Sequence, residues 1–182
     1  MVAKVRIFLS SMFLALMLFS CRSVEEYPLE PVISYGGFTY LMNADSTFSG
    51  KGILSIHYTD GDGDLGLGSV DTMPPYHIGG EFYYNMFVRY FRLVDGVFVE
   101  TPLLSWNQQE QQYDTLTFNA RFPRLLDDET PKPISGVIDY TIDVVNPFSP
   151  SDTIMFKVRI ADRALRISNE VESDVIFTGL QL

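Results

Sequence analysis

The sequence has only one cysteine, Cys21, among its 182 residues. A single thiol cannot form an internal disulfide bond, which excludes a small secreted domain held together by disulfide bridges. The remaining roles for this residue are attachment of a lipid or a free thiol. The chain must therefore obtain its stability from a packed core, for which its length is sufficient.

Basic residues are also few. The chain has 13 lysine and arginine residues against 23 aspartate and glutamate residues, which gives a formal net charge of −10 at pH 7. A surface with this excess of negative charge repels phosphate groups. We therefore expect no nucleic-acid partner.

The motifs of common hydrolases and nucleotide-binding enzymes are missing. The sequence contains no Gly-x-Ser-x-Gly elbow, no His-Glu-x-x-His zinc motif and no Gly-Lys-Ser/Thr phosphate loop. Only His57 and His77 could act as imidazole bases, and the alternating pattern around His57 predicts an outward-facing side chain. We therefore expect a protein that is not an enzyme. The alternative is a hydrolase with carboxylate catalysis, which would require Asp62 and Asp127 to meet in one cleft.

The amino terminus has the three parts of a secretory signal, namely basic residues, an apolar stretch from Ile7 to Phe19 and a small residue, Ser20. The stretch is too short for a transmembrane helix, which needs about 20 apolar residues. The run Leu18-Phe19-Ser20-Cys21 resembles the lipobox of signal peptidase II substrates. Residues 1–20 are therefore predicted to be a lipoprotein signal peptide, with a lipid on Cys21 as the membrane anchor. The alternative is an ordinary secretory signal.

Residues 21–31 form a short polar segment after the predicted cleavage site. Because the signal contains Lys4 and Arg6 but no acidic residue, its removal changes the formal charge from −10 to about −12. The pair Glu25-Glu26 resembles the surface-export signal of some Bacteroidota lipoproteins, and the alternative is a solvated linker. We expect a tether that holds the protein on the bacterial outer membrane, facing the cell exterior if the pair acts in export.

Residues 32–182 show an alternation of apolar and polar residues, and the three-four spacing of amphipathic helices is nearly absent. Asp95-Gly96 between two apolar runs is a strong signal for a tight hairpin. The pattern predicts a single domain, an antiparallel β-sandwich of about eight strands. The predicted strands are 32–41, 52–59, 83–94, 97–101, 113–122, 136–144, 153–160 and 171–180.

An acidic, glycine-rich segment follows the second predicted strand, with Asp60, Asp62 and Asp64 separated by Gly61 and Gly63. An extended chain would separate the first and last carboxylates by roughly 13 Å, whereas calcium binds oxygen at about 2.4 Å, so the backbone must curl around the ion. Glycine permits such a curl because it accepts positive φ. Oxygen ligands without histidine or cysteine beside them favour calcium.

The segment differs from an EF-hand loop. Its three aspartates fill positions one, three and five, and Asp71 falls at position twelve. However, Leu65 replaces the glycine at position six, position twelve lacks the bidentate glutamate, and strands replace the flanking helices. We therefore predict a structural calcium site formed by Asp60, Asp62 and Asp64, with Asp71 as a further candidate ligand. The alternative is a solvated acidic turn.

Three segments resemble an uncharacterised family of Bacteroidota lipoproteins with an Asp-Gly-Asp-Gly-Asp-Leu-Gly loop. They are Tyr58 to Leu67, Tyr84 to Phe91 and Ala161 to Asn169. The resemblance covers most of the mature chain and implies a lipid-anchored envelope protein, without an assigned activity.

The third segment also resembles the Asp-x-Ala-Gly-Asn-x-Ser turn of many bacterial immunoglobulin-like domains. In this chain Leu165 stands in place of the glycine, and the asparagine is displaced to Asn169. By this resemblance we expect an immunoglobulin-like sandwich in which Asp162 approaches the acidic loop as a further calcium ligand. The alternative is that Asp162 only caps its own turn.

Aromatic residues are numerous, at 25 of 182, and several lie between residues 83 and 106. Both faces of the predicted strand 83–94 are apolar, which is typical of a central strand buried on both sides. Trp106 lies among polar residues and is the best candidate for an exposed ligand-binding ring. We expect a calcium-binding domain that acts by binding an unknown protein or glycan partner. The alternative is a carbohydrate-binding accessory lipoprotein of a surface glycan-uptake system.

Overall fold

The computed structural model describes residues 26–46, 48–126, 130–144 and 152–178. The predicted signal peptide, Cys21 and Asp127 lie outside these ranges. Within the described ranges, no helix is long and apolar enough to serve as a membrane span. The regular structure of these ranges consists of ten strands: β1 (Val32–Met42), β2 (Phe48–Asp60), β3 (Met86–Val94), β4 (Val97–Glu100), β5 (Leu103–Asn107), β6 (Gln112–Leu116), β7 (Ile134–Asp143), β8 (Thr153–Ile160), β9 (Val171–Glu172) and β10 (Ile176–Phe177).

The first sheet has the strand order β1-β2-β7 and is antiparallel throughout. β2 is its central strand, and Asp60 at the end of β2 is paired with Ile134 at the start of β7. Apolar side chains of β2 such as Leu54 and Ile56 are buried, whereas the next side chain, His57, is exposed to solvent. The predicted outward orientation of His57 is therefore confirmed.

The second sheet has the strand order β10-β8-β3-β4, with β9 added beside β8. β3 pairs with β8 from Met86 to Arg92, and its far end forms a hairpin with β4. The turn of this hairpin is Asp95-Gly96, with φ values of 49° and 82°. Positive φ at both central residues is what a type I′ turn requires, so the predicted tight hairpin is confirmed.

The two sheets share one hydrophobic core. Leu54, Ile56 and Ile142 of the first sheet and Phe156 and Ile160 of the second are at most 1% exposed and belong to one cluster. Each such side chain stabilises the fold by about 1.5–3 kcal/mol on burial. The predicted all-β architecture with antiparallel sheets packed face to face is therefore confirmed.

The segment predicted as one strand at 113–122 is different in the structure. β6 ends at Leu116 and pairs only with β5, a strand that the sequence pattern did not predict. The following residues turn back to the core, where Ala120 forms an isolated bridge with Met86. A side chain replaces the ladder of backbone hydrogen bonds here, because the Asn119 amide oxygen accepts the Val88 N–H at 2.8 Å.

The segment predicted as a strand at 171–180 is also wrong as a continuous element, because in its described part, residues 171–178, the two short strands β9 and β10 are separated by residues 173–175. Ser173 Oγ accepts the Phe156 N–H at 2.9 Å, and Thr178 Oγ1 accepts the Asp152 N–H at 2.7 Å. These hydroxyl groups take the place of backbone carbonyls beside β8, so the ladder is interrupted.

Candidate metal centre

The acidic loop begins where β2 ends, on the side of the domain where β8 also ends. Asp60 is the last residue of β2, and its Oδ2 accepts the Asp64 N–H at 3.0 Å, which closes a tight curl. Gly63 within the curl has a φ of 73° and lies close to the Lys132 carbonyl, so a side chain would not fit there. The curled backbone expected from the glycines is thus present.

Four carboxylates converge on this curl, from Asp60, Asp62, Asp64 and Asp162. Each offers one oxygen, and these four oxygens all lie within 4.8 Å of one another. Asp60 is 0% exposed and Asp162 is 2% exposed, while the other two are partly buried. The loop after β8 reaches the cluster because Leu65 and Asp162 form an isolated antiparallel bridge.

Burial and mutual repulsion raise the pKa values of these groups. Burial, followed by the charges of Asp62 and Asp64, raises the pKa of Asp60 to about 7. Burial, followed by the charge of Asp162, raises the pKa of Asp64 to about 6. Burial also raises the pKa of Asp162. The site therefore holds more negative charge than its surroundings neutralise.

Two arginines compensate the cluster in part. Arg166 Nη1 donates to Asp62 Oδ2 at 2.8 Å and to Asp162 Oδ2 at 3.1 Å. The Arg163 backbone N–H and Nε both donate to the Asp64 carbonyl instead of a carboxylate. Arg166 thus contacts two of the four carboxylates, and a divalent cation would supply further positive charge to the ionised cluster.

Three carboxylate oxygens of the cluster have no hydrogen-bond donor. Among the described residues, nothing donates to the buried Oδ1 atoms of Asp60, Asp62 and Asp64. A buried charged oxygen without a donor or a cation is costly, by several kcal/mol per ion. These oxygens suit a hard cation. One oxygen from each of the four aspartates lies within 4.8 Å of the others, which is about twice the calcium–oxygen distance of about 2.4 Å.

Asp162 belongs to the four-carboxylate cluster and also caps its own turn. Its Oδ1 accepts the Arg166 N–H at 2.7 Å, which caps the turn that follows β8. Its Oδ2 accepts a hydrogen bond from Arg166 Nη1, and the same nitrogen donates to Asp62 in the acidic loop. Leu165 in this turn has a φ of 66°, the left-handed conformation that glycine has in the turn it resembles. The displaced Asn169 instead bonds the N–H and carbonyl of Ile33 in β1, both at 2.8 Å.

Asp71, the further candidate ligand, is not part of the four-carboxylate cluster. Its Oδ2 accepts the Gly68 N–H at 2.7 Å and lies 3.2 Å from Arg124 Nη2. Burial raises the pKa of Asp71, but these two partners outweigh burial and lower it overall. The structure thus gives Asp71 a role in the shape of the long loop between β2 and β3.

Arg121 also shapes this loop, and nothing in the sequence pattern indicated it. Its guanidinium group donates to four backbone carbonyls, which belong to Gly68, Asp71, Tyr76 and Tyr83. The sequence around Arg121 could not reveal these contacts, because the four carbonyls lie 38 to 53 residues earlier in the chain.

The residues before β1 also contact the acidic loop. A Cβ atom at Gly61 would lie 2.5 Å from the Tyr27 carbonyl oxygen and 2.6 Å from that of Pro28. Arg166 Nη1 donates to the Leu29 carbonyl at 2.9 Å. The segment that precedes the domain is therefore held against the cluster, and this contact was not expected from the sequence.

Trp106 lies on the β5–β6 hairpin and is 50% exposed, in keeping with its polar neighbours in the sequence. It pairs with Tyr113, which is 56% exposed, and the two ring centroids are 5.0 Å apart. The rings meet at 65°, so they do not form one flat surface.

No protein-family model matches the chain, no curated protein is similar to it at a significant level, and no solved structure matches it. The chemistry of the site follows from its own geometry.

Proposed function

We propose that this chain is a non-enzymatic lipoprotein of the bacterial outer membrane whose sandwich domain binds a structural calcium ion and a protein or glycan partner at the cell envelope. The observation that carries the calcium proposal is the set of three buried carboxylate oxygens without a donor. The lipobox-like run before Cys21, the only cysteine, supports the anchor.

Calcium would join the two sheets of the sandwich. Asp60 is the last residue of the first sheet's central strand, and Asp162 lies two residues beyond the end of β8 in the second sheet. An ion bound by both residues would fix these strand ends relative to each other and neutralise the cluster. Its role would be structural, because the ion would hold together Asp60 at the end of β2 and Asp162 after β8.

Thermal unfolding with calcium and with a chelator tests this proposal. At a calcium concentration of 100 times Kd, binding to the folded state adds about 2.7 kcal/mol, which for a domain of this size raises Tm by roughly 5–10 °C. We expect Asp62→Asn to remove most of this difference. Asp114→Asn, which changes an exposed aspartate on the β5–β6 hairpin, should leave it unchanged. Equal Tm values in calcium and chelator would refute the calcium proposal.

Carbohydrate binding is the second candidate function, and the exposed pair of Trp106 and Tyr113 favours it. Aromatic rings in water stack on sugar rings, and Asn107 and Asp114 lie beside this pair as hydrogen-bonding groups. Because Trp106 is the only tryptophan, its fluorescence reports on this surface directly. A glycan array in which Trp106→Ala binds as well as the native chain would exclude this surface as the glycan site.

A further inference from the structure

We propose that the end of the domain that carries the acidic cluster faces the lipid surface, and that the loop of residues 69–79 contacts lipid through Val70, Met73 and Ile78. This inference rests on the proposed lipid anchor at Cys21. It assigns a surface, an orientation and a ligand chemistry that the anchor alone does not imply.

The position of the tether sets the orientation. Tyr27, Pro28 and Leu29 are held against Gly61 and Arg166 at the cluster. Five residues lie between Cys21 and Tyr27, and a fully extended chain spans at most about 20 Å over the six steps that join them. The opposite end of the domain is farther away, because the 13 residues of β2 extend over about 40 Å. The anchor therefore keeps the cluster end close to the membrane.

The loop at this end exposes apolar side chains. Val70 is 75% exposed, Met73 is 73% exposed and Ile78 is 83% exposed, and no other large hydrophobic side chain in the described ranges is as exposed. Three such side chains within nine residues differ from the scattered apolar residues of an ordinary surface. Their transfer from water to the lipid interface would be favourable.

The same loop is almost free of charge. Residues 65–80 contain no lysine, arginine or glutamate, and their single aspartate, Asp71, is paired with Arg124. The chain as a whole has a net charge of −10. Because this loop carries almost no charge, it can approach a membrane without the cost of desolvating charged groups and without repulsion from anionic lipids. These properties and the reach of the tether favour lipid over a protein partner as the occupant of this surface.

Hydrogen bonds connect the loop to the acidic cluster. The Tyr76 hydroxyl donates to the Arg163 carbonyl, and the Arg163 N–H donates to the Asp64 carbonyl at 3.3 Å. Arg121 holds the loop from its other side through carbonyl contacts. The apolar side chains are therefore presented on a backbone that is fixed relative to the cluster and the tether.

Environment-sensitive labels on the lipidated full chain test the inference. Because Cys21 would be acylated, Met73→Cys and Ile78→Cys each provide a single reactive thiol for the fluorophore NBD. Val97→Cys is the matched control, since Val97 is 64% exposed but lies beside the far end of β3. All three positions are exposed, so labelling leaves the core intact.

In phosphatidylcholine–phosphatidylethanolamine vesicles, the labels at 73 and 78 should shift to the blue, and iodide quenching should fall by about three-fold, because the interface shields groups inserted by about 5–10 Å. The label at 97 should stay fully accessible. Vesicle flotation of the same samples reports the anchor separately. Chains that float while positions 73 and 78 remain as accessible as 97 would overturn the inference with the anchor intact. Chains that do not float would overturn the anchor and the inference together.

Discussion

At the scale of single residues, Leu165 adopts a conformation that suits glycine. Its φ of 66° lies in the left-handed region, which costs a residue with a Cβ atom about 1–2 kcal/mol. Glycine would remove this cost but lose roughly 0.5–1 kcal/mol through the entropy of the unfolded chain. We therefore expect Leu165→Gly to be neutral or to stabilise the fold by up to about 1.5 kcal/mol, measured by urea unfolding.

Ile167→Gly is the matched control for this substitution. Ile167 is 43% exposed against 39% for Leu165 and forms the bridge with Ala161 that closes the same turn, but it does not have a positive φ. The ordinary penalty of about 1 kcal/mol for introducing glycine should therefore appear there. If both variants lose the same stability, the strain assigned to Leu165 is absent.

The titration of Asp60 predicts opposite effects of pH on the metal-free and calcium-loaded protein. Burial and the neighbouring carboxylates raise its pKa from 3.8 to about 7 in the folded state. The metal-free fold thus prefers the protonated acid and loses stability as the pH rises from about 4 to about 7. Calcium requires the ionised form, so its affinity falls as the pH drops through the same range.

Thermal unfolding between pH 5 and pH 8 checks this prediction. In chelator, Tm should fall with rising pH, and the increase in Tm on adding calcium should be larger at pH 8 than at pH 5. Asp60→Asn removes the group with the pKa of about 7 and should weaken the fall of Tm in chelator, while Asp64 still titrates. A calcium effect of the same size at both pH values would contradict the assignment of raised pKa values to ligands.

At the scale of structural elements, Arg121 determines the shape of the long loop between β2 and β3. Arg121→Met keeps the aliphatic part of the side chain but removes the donors to four carbonyls. We expect the loop to be cleaved at least about ten-fold faster in limited proteolysis, because an opening cost lower by about 1.4 kcal/mol raises the open population by that factor.

Arg159→Met is the control for Arg121→Met. Arg159 is an arginine of β8 that forms a surface ion pair with Glu170, at 3.6 Å. Surface pairs contribute about 0–1 kcal/mol, so the cleavage rate in the loop should stay the same. Equal cleavage rates for the two variants would show that Arg121 does not hold the loop.

The sequence pattern predicted the elements whose side chains alternate, and failed where side chains replace the backbone ladder. β1 and β2 contain the predicted strands 32–41 and 52–59, and the buried residues of β2 alternate with less buried ones. The predicted strands 113–122 and 171–180 are interrupted because Asn119, Ser173 and Thr178 bond neighbouring backbone groups. Such substitutions do not change the period of the pattern, so periodicity could not reveal them.

The candidate site was predictable in part for a similar reason. Asp60, Asp62 and Asp64 are close in sequence, and their spacing alone indicates a common ligand. Asp162 was expected only through a resemblance. Arg166 was not expected, because 104 residues separate it from Asp62, and no local spacing reports a contact at that range.

At the scale of the whole molecule, the acidic cluster lies where the two sheets and the tether meet. Asp60 belongs to the first sheet, Asp162 follows the second, and Arg166 bonds both Asp162 and the Leu29 carbonyl. A single ion at this position would stabilise the sandwich and keep the tether in place. The ion would also neutralise the four clustered carboxylates.

Calcium titration by isothermal calorimetry tests the central claim most directly. We expect one calcium ion per chain at pH 7.5, with protons released on binding because Asp60 and Asp64 have pKa values raised to about 7 and about 6. Magnesium should bind more weakly, because it requires near-ideal octahedral geometry at about 2.0–2.1 Å. Asp60→Asn should abolish the saturable heat, while Asp114→Asn should leave it intact. The absence of saturable binding by the native chain at millimolar calcium would contradict the account.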